Sequence, residues 1–253
     1  MMRTLLGGLL LPCLVFVAHA APPERPGWQL TFDDEFDGPN VDTTKWNLSD
    51  PWGRMRNNEL QAYVPDAFEV RDGILHVRAQ RRDAVYDREL RHYTSGMMTT
   101  YQKFSQQFGR FEIRCRVPKG QGLWPAFWML PEPLGWPPEI DVLEVLGNNT
   151  STIQLTHHWH NAAGRVESDH GEWKGDADFG RDFHEIAVEW AADAIRWEID
   201  GTERFRSTRS IPQVKMYMLV NLAVGGDWPK APDDKTPFPS SFEVDWVRVY
   251  AKR

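Results

Sequence analysis

Three carboxylates crowd one short stretch of the chain, Glu139-Ile140-Asp141-Val142-Leu143-Glu144. In a regular β-strand Glu139 and Asp141 share a face and Glu144 points the other way. One extra residue near Val142-Leu143, a β-bulge, returns Glu144 to the face of the other two. Ile140 and one of the apolar pair then pack behind the acids. With the bulge absorbed, Glu139 and Glu144 stand about four strand steps apart, roughly 13 Å between Cα atoms. Side chains leaning inward bring the carboxylates to about 5 Å, the spacing of a glycosidase that retains anomeric configuration. The charge of Asp141 between them raises the pKa of a neighbour and keeps one carboxylic acid protonated. An acidic strand face is usually only solvated, and clustered carboxylates also hold calcium. On spacing alone the three readings stay open.

Other residue types point to the same region. Trp124 and Trp128 precede the acidic strand and, four apart in extended sequence, share a face. Both indoles suit a cleft that stacks on flat, weakly polar rings, and one of them equally suits a core. In His157-His158-Trp159-His160 the second and fourth residues share a strand face. Zinc there needs a third ligand, and no cysteine is near, so His157 and His160 are read as ordinary histidines.

The elements that must position these residues are short strands. Phe111, Ile113, Cys115 and Val117 alternate with Arg110, Glu112, Arg114 and Arg116, a half-buried strand. Cys115 then faces inward and is read as inert. Ile195 to Ile199 and Thr202 to Ser207 flank Asp200-Gly201, a hairpin with a type I′ turn. Further strands are expected over Phe183 to Trp190, Met216 to Val224 and Phe242 to Tyr250. The Met216 run is apolar on both faces, as in a strand sandwiched in a core. Nineteen Gly and eighteen Pro, spread along the chain, leave little room for long helices. Many strands without a βαβ rhythm argue for an all-β sandwich of two antiparallel sheets.

The N-terminus reads differently. Arg3 precedes an uncharged apolar run from Leu5 to Ala18, too short to span a bilayer, and Ala18-His19-Ala20 has the small-x-small form of a cleavage site. Residues 1–20 are therefore expected to be a signal peptide cut after Ala20, leaving residues 21–253 as one domain, secreted or periplasmic and monomeric. Its loss removes Cys13 and leaves Cys115 without an intramolecular partner. The net charge of −7 makes nucleic acid and anionic membrane poor partners.

Segments along the whole domain resemble glycoside hydrolase family 16, the β-jelly-roll family of laminarinases, lichenases and agarases. The acidic run is similar to the bulged form of its signature, E-x-D-x-x-E. Further matches are Asp34-Glu35-Phe36-Asp37-Gly38, Asn58-Glu59-Leu60-Gln61-Ala62-Tyr63, Phe108-Gly109-Arg110-Phe111-Glu112, Trp124-Pro125-Ala126-Phe127-Trp128, Asn221-Leu222-Ala223-Val224-Gly225-Gly226 and Val244-Asp245-Trp246-Val247-Arg248-Val249-Tyr250. The resemblance implies a jelly roll with an open catalytic cleft. It implies Glu139 as nucleophile, Glu144 as general acid/base and Asp141 as the assisting carboxylate, with no cofactor for catalysis. Trp124 and Trp128 would stack on sugar, Trp128 beneath the reacting ring, and His158 would stand beside Asp141 and Glu144. Asn57, Asn58 and Trp228 would edge the cleft. Glu35, the Gly73 carbonyl and Asp245 would hold a structural Ca²⁺. The implied substrate is a β-glucan with 1,3 or mixed 1,3-1,4 linkages, with a bacterial exopolysaccharide or a galactan or agar-type polymer as alternatives, and with transglycosylation or non-catalytic carbohydrate binding as lesser readings. One departure is Pro138, where relatives often carry Gly, and it bears on loop shape.

Overall fold

The computed structural model describes residues 22–253, so the expected leader, its cleavage site and Cys13 lie outside the described residues. The first eight strands are β1 (Trp28–Asp34), β2 (Gln61–Tyr63), β3 (Phe68–Arg71), β4 (Ile74–Tyr86), β5 (Glu89–Ser95), β6 (Met97–Thr99), β7 (Gly109–Arg116) and β8 (Leu123–Pro131). The second eight are β9 (Glu139–Glu144), β10 (Thr152–His160), β11 (Val166–Lys174), β12 (His184–Trp190), β13 (Ile195–Ile199), β14 (Thr202–Ser207), β15 (Met216–Val224) and β16 (Ser240–Lys252). Among the described residues there is no helix, and so none long and apolar enough to cross a membrane.

The strands form two sheets. One has ten strands in the order β14-β13-β12-β7-β16-β4-β5-β2, with β1 on β16 and β3 on β4. The other has six, ordered β11-β10-β9-β8-β15-β6. Between them lies a core that takes Phe111, Ile113 and Cys115 from one sheet and Phe127, Met129, Ile140 and Leu155 from the other. This is the expected sandwich, with one correction. The short β2 runs parallel to β5, whereas both sheets are expected to be antiparallel throughout. It arrives from the long stretch after β1 rather than from a hairpin, so no tight turn dictates its direction.

Local chemistry explains several elements. Asp200 and Gly201 both take positive φ, 48° and 72°, as a type I′ turn demands between β13 and β14. Cys115 is buried, and burial pushes its thiol pKa upward, so it is inert as expected. Every residue of β15 is buried, but its two faces differ in use. Met216, Met218, Val220 and Leu222 join the main core, while Asn221 and Ala223 on the other face line the cleft described below.

The polar face of β7 is not merely solvated. The Arg110 guanidinium is buried and donates to Glu112 at 2.6 Å, Glu198 at 2.7 Å and Glu185 at 3.4 Å, and Arg25 reaches Glu112 at 3.0 Å. Three strands are thereby tied across the outer face of the larger sheet. Arg110→Ala strands the buried Glu112 with less compensation and is expected to cost about 3 kcal/mol of stability. Urea unfolding at neutral pH reads this directly. A loss below about 1 kcal/mol would place the cluster with ordinary surface pairs.

Candidate active site

The acidic strand is bulged where the sequence requires it. Trp128 of β8 pairs with Asp141 and Phe127 with Leu143, so Val142 is the extra residue. On the other side Thr156 of β10 pairs with Asp141 and Gln154 with Glu144, so Leu155 alone spans Val142 and Leu143. Glu139, Asp141 and Glu144 consequently line one recess on the outer face of the six-stranded sheet. Both Val142 and Leu143, rather than one of them, reach the core, because the bulge folds the extra residue inward. A bulge disturbs the ladder of hydrogen bonds. Here the buried Trp197 of the opposite sheet donates its indole N–H to the Asp141 carbonyl at 2.8 Å, pinning the bulge from behind.

The recess opens into a cleft of about 730 Å³. Trp124 donates its indole N–H to Glu144 at 3.0 Å, and Trp128 donates to Asn221 at 2.7 Å. Both indoles therefore line the cleft, as their shared strand face implies, and Trp128 also packs on the small hydrophobic cluster of Tyr63, Met97, Leu130, Tyr217 and Leu219. Trp228 stands edge-on to Trp124 with ring centroids 5.4 Å apart and is 40% exposed, at the expected rim position. His158 places Nε2 3.3 Å from Asp141 Oδ2. Its strand partner is Glu139, while the residue opposite Glu144 is Gln154, so His158 serves the Glu139 end of the row.

The Asn57-Asn58 pair divides. Both residues adopt left-handed backbone, with φ of 52° and 54°, which Asn tolerates. Asn57 lines the cleft and donates its amide to Glu59 at 3.2 Å. Asn58 instead clasps Asp227, donating to its two carboxylate oxygens at 2.9 and 3.1 Å, and it does not line the cleft. Its role is to join two rim loops. Gly226 is required at that junction, since a Cβ there would meet the Asn57 carbonyl at 2.9 Å and φ is 120°.

Several site residues carried no sequence expectation. Trp136, half exposed on the loop before β9, donates its indole N–H to Glu139 at 2.6 Å. Its place three residues before an expected nucleophile was the available signal. Trp52, Arg54 and Arg56 line the same cleft from the loop before β2. Behind Trp128 runs a buried relay. Asn221 donates to the Tyr63 hydroxyl at 3.1 Å, Tyr63 donates to Glu59 at 3.2 Å, and Gln61 donates to Glu59 at 2.6 Å. The Asn58-to-Tyr63 motif thus supports the cleft floor more than it lines it.

The expected calcium ligands are arranged for another partner. Arg248 donates to both carboxylate oxygens of Glu35, at 2.8 and 2.7 Å, and Arg114 pairs with Asp245. Each carboxylate is already matched by a guanidinium, and Gly73 lies in the turn between β3 and β4. These residues as arranged do not fit a calcium ion, which needs six or more oxygens.

Electrostatics in the recess follow from burial and crowding. Desolvation, then the charge of Asp141, raises the pKa of Glu139 well above the usual glutamate range, opposed by His158 and the Trp136 N–H. Asp141 is raised by burial and by Glu144. Glu144 is pushed up to about 8 by burial and by the charge of Glu139, with the Trp124 N–H pulling the other way. Three such groups cannot ionise together, so their protons belong to the cluster as a whole. Trp136→Phe removes a donor from Glu139 and is expected to move the acid limb of the activity profile to higher pH. An acid limb that stays in place would show that this hydrogen bond does not act on the reacting group.

The model of Glycosyl hydrolases family 16 matches residues 65–248. The chain belongs to that family. It is 34% identical over 242 residues to the endo-1,3-1,4-beta-glycanase ExsH of Rhizobium meliloti, covering 87% of this chain and 51% of that protein. It is 34% identical over 251 residues to a beta-glucanase of Rhodothermus marinus, covering 90% of this chain and 86% of that protein. Among solved structures, the laminarinase catalytic domain of Thermotoga maritima superposes with a TM-score of 0.79 at 32% identity, covering 89% of this chain and 99% of that one. The chain spans about half the length of the Rhizobium glycanases it matches.

Proposed function

We infer that this family 16 chain is a retaining endo-β-glycanase acting on β-1,3 or mixed β-1,3-1,4 glucan. The observation that carries the reading is the bulged strand. It sets Glu139, Asp141 and Glu144 in one recess at the floor of a cleft walled by Trp124, Trp128, Trp136 and Trp228. In the first step Glu139 attacks the anomeric carbon while Glu144 protonates the departing sugar oxygen. In the second Glu144 takes a proton from water, which releases the sugar from Glu139. Asp141, held between Glu139 and His158, orients and tunes the other two. An open groove suits internal bonds of a long chain, and the names of the Rhizobium and Rhodothermus relatives support the linkage. Export through residues 1–20 and action as a monomer complete the proposal, on the leader-like sequence and a site built within one chain.

A second reading has one specific observation behind it. Arg54, exposed, and Arg56 line the same cleft and would suit a glycan bearing carboxylate or sulfate groups, such as an acidic exopolysaccharide. Reducing-end release from laminarin, mixed-linkage glucan, agarose, carrageenan and an acidic exopolysaccharide, with products sized, separates the two. Rapid shortening of a neutral glucan is expected. Cleavage confined to the acidic polymer would transfer the assignment, and no cleavage of any polymer by folded protein would sink both readings.

A further inference from the structure

Beside its catalytic arrangement, the recess contains a set of donors that suits a metal. One oxygen each of Glu139 and Asp141 and one ring nitrogen of His158 lie within 4.8 Å of one another. Asp141 lines the recess and is 2% exposed, and its Oδ2 has no hydrogen-bond partner. A buried acceptor left unpaired is costly, and a cation beside it is the natural remedy. His158 Nε2 stands 3.3 Å from that oxygen but out of line for a hydrogen bond. Donors of a tetrahedral zinc ion, with bonds of about 2.1 Å, stand about 3.4 Å apart. The His158–Asp141 pair already has that spacing.

We propose that Glu139, Asp141 and His158 bind a divalent transition-metal ion, zinc foremost, and that the bound ion reversibly inhibits the enzyme. The third ligand that zinc lacks on the face of His158 and His160 comes from the neighbouring strand. His160 is exposed at the strand end and stays outside the set. Glu139 and His158 are only partly buried, so small side-chain rotations bring their donor atoms into bonding range. The cleft leaves a fourth position open to water. One imidazole and two carboxylates favour zinc over calcium or magnesium, which take oxygen ligands in larger number. The ion would occupy the electron pair with which Glu139 attacks the sugar, so metal and glucan exclude one another. Inhibition rests on the hydrolase reading, whereas binding does not.

The two halves are therefore tested apart. Calorimetric titration of the unliganded protein with zinc, and visible absorption on titration with cobalt, read binding without any substrate. One ion per chain and the intense visible bands of tetrahedral cobalt are expected. His158→Gln is expected to weaken binding by at least about tenfold. Glu139→Gln, at a partly exposed position, serves as the second variant if the first does not fold. Glucan cleavage by wild type should then fall with added zinc, recover with chelator, and show competition with substrate. Absence of binding below about 1 mM, or binding that both folded variants retain, overturns the site. Binding without inhibition in an active enzyme overturns the inhibitory role. A chain that binds zinc but cleaves no glucan keeps the site and refutes the hydrolase reading alone.

Discussion

Glu139→Gln is expected to lower kcat/KM on glucan by about 10⁴-fold or more, because the covalent step has no substitute within reach. The fold should survive the change. Glu139 is half buried, and its one hydrogen-bonded indole, Trp136, can donate to an amide oxygen as well as to a carboxylate. Circular dichroism and glucan binding should match wild type. Glu139→Ala offers a sharper version of the test. It opens the face from which the carboxylate attacks, so added azide can displace the leaving group there in a single step and give a glycosyl azide of inverted configuration. Residual cleavage above about a hundredth of wild type would assign the nucleophile elsewhere.

Glu144→Gln should cost about 10²- to 10⁴-fold on polysaccharide, where the departing oxygen is a poor leaving group and needs a proton. On an aryl glycoside with an acidic phenol the loss in the first step should nearly vanish. The pH profile gives an independent reading. Glu144 must carry its proton to act as an acid, and burial together with the charge of Glu139 pushes its pKa up to about 8. Activity is therefore present below that pH and lost as pH rises through it. The acid limb falls where the cluster takes up the proton that removes the anionic nucleophile, and it belongs to the three carboxyls together rather than to Glu139 alone. Wild type should show a bell, and Glu144→Gln should lose its basic limb. A basic limb that persists in the variant would move the acid role to another group.

The catalytic row was legible because strand periodicity is strict. A period of two, with one extra residue before Glu144, leaves a single way to face three acids together, and the pairing of β9 with β8 and β10 follows it. Trp124 and Trp128 were legible for the same reason. The partner of Asn58 was not legible, because a polar loop motif does not reveal whether an amide faces ligand or another loop. Here it faces Asp227, far along the chain. Trp136 was not legible, because an irregular loop has no periodicity from which to read a direction.

Local pattern alone was enough to determine that the chain folds as strands, that Asp200-Gly201 turns, that Cys115 is buried and that the acidic strand carries a bulge. Each depends on residues close in sequence, where backbone sterics and alternation leave few choices. Tertiary structure decided what depends on contacts between distant segments. It set the parallel pairing of β2, the guanidinium partners of Glu35 and Asp245, the Trp197 clamp on the bulge and the Asp141 oxygen that stands beside His158 without a hydrogen bond. A carboxylate reads the same in sequence whether it meets an arginine, a metal or a sugar. The partner depends on which strands the fold brings alongside, and on how much water the packing leaves between them.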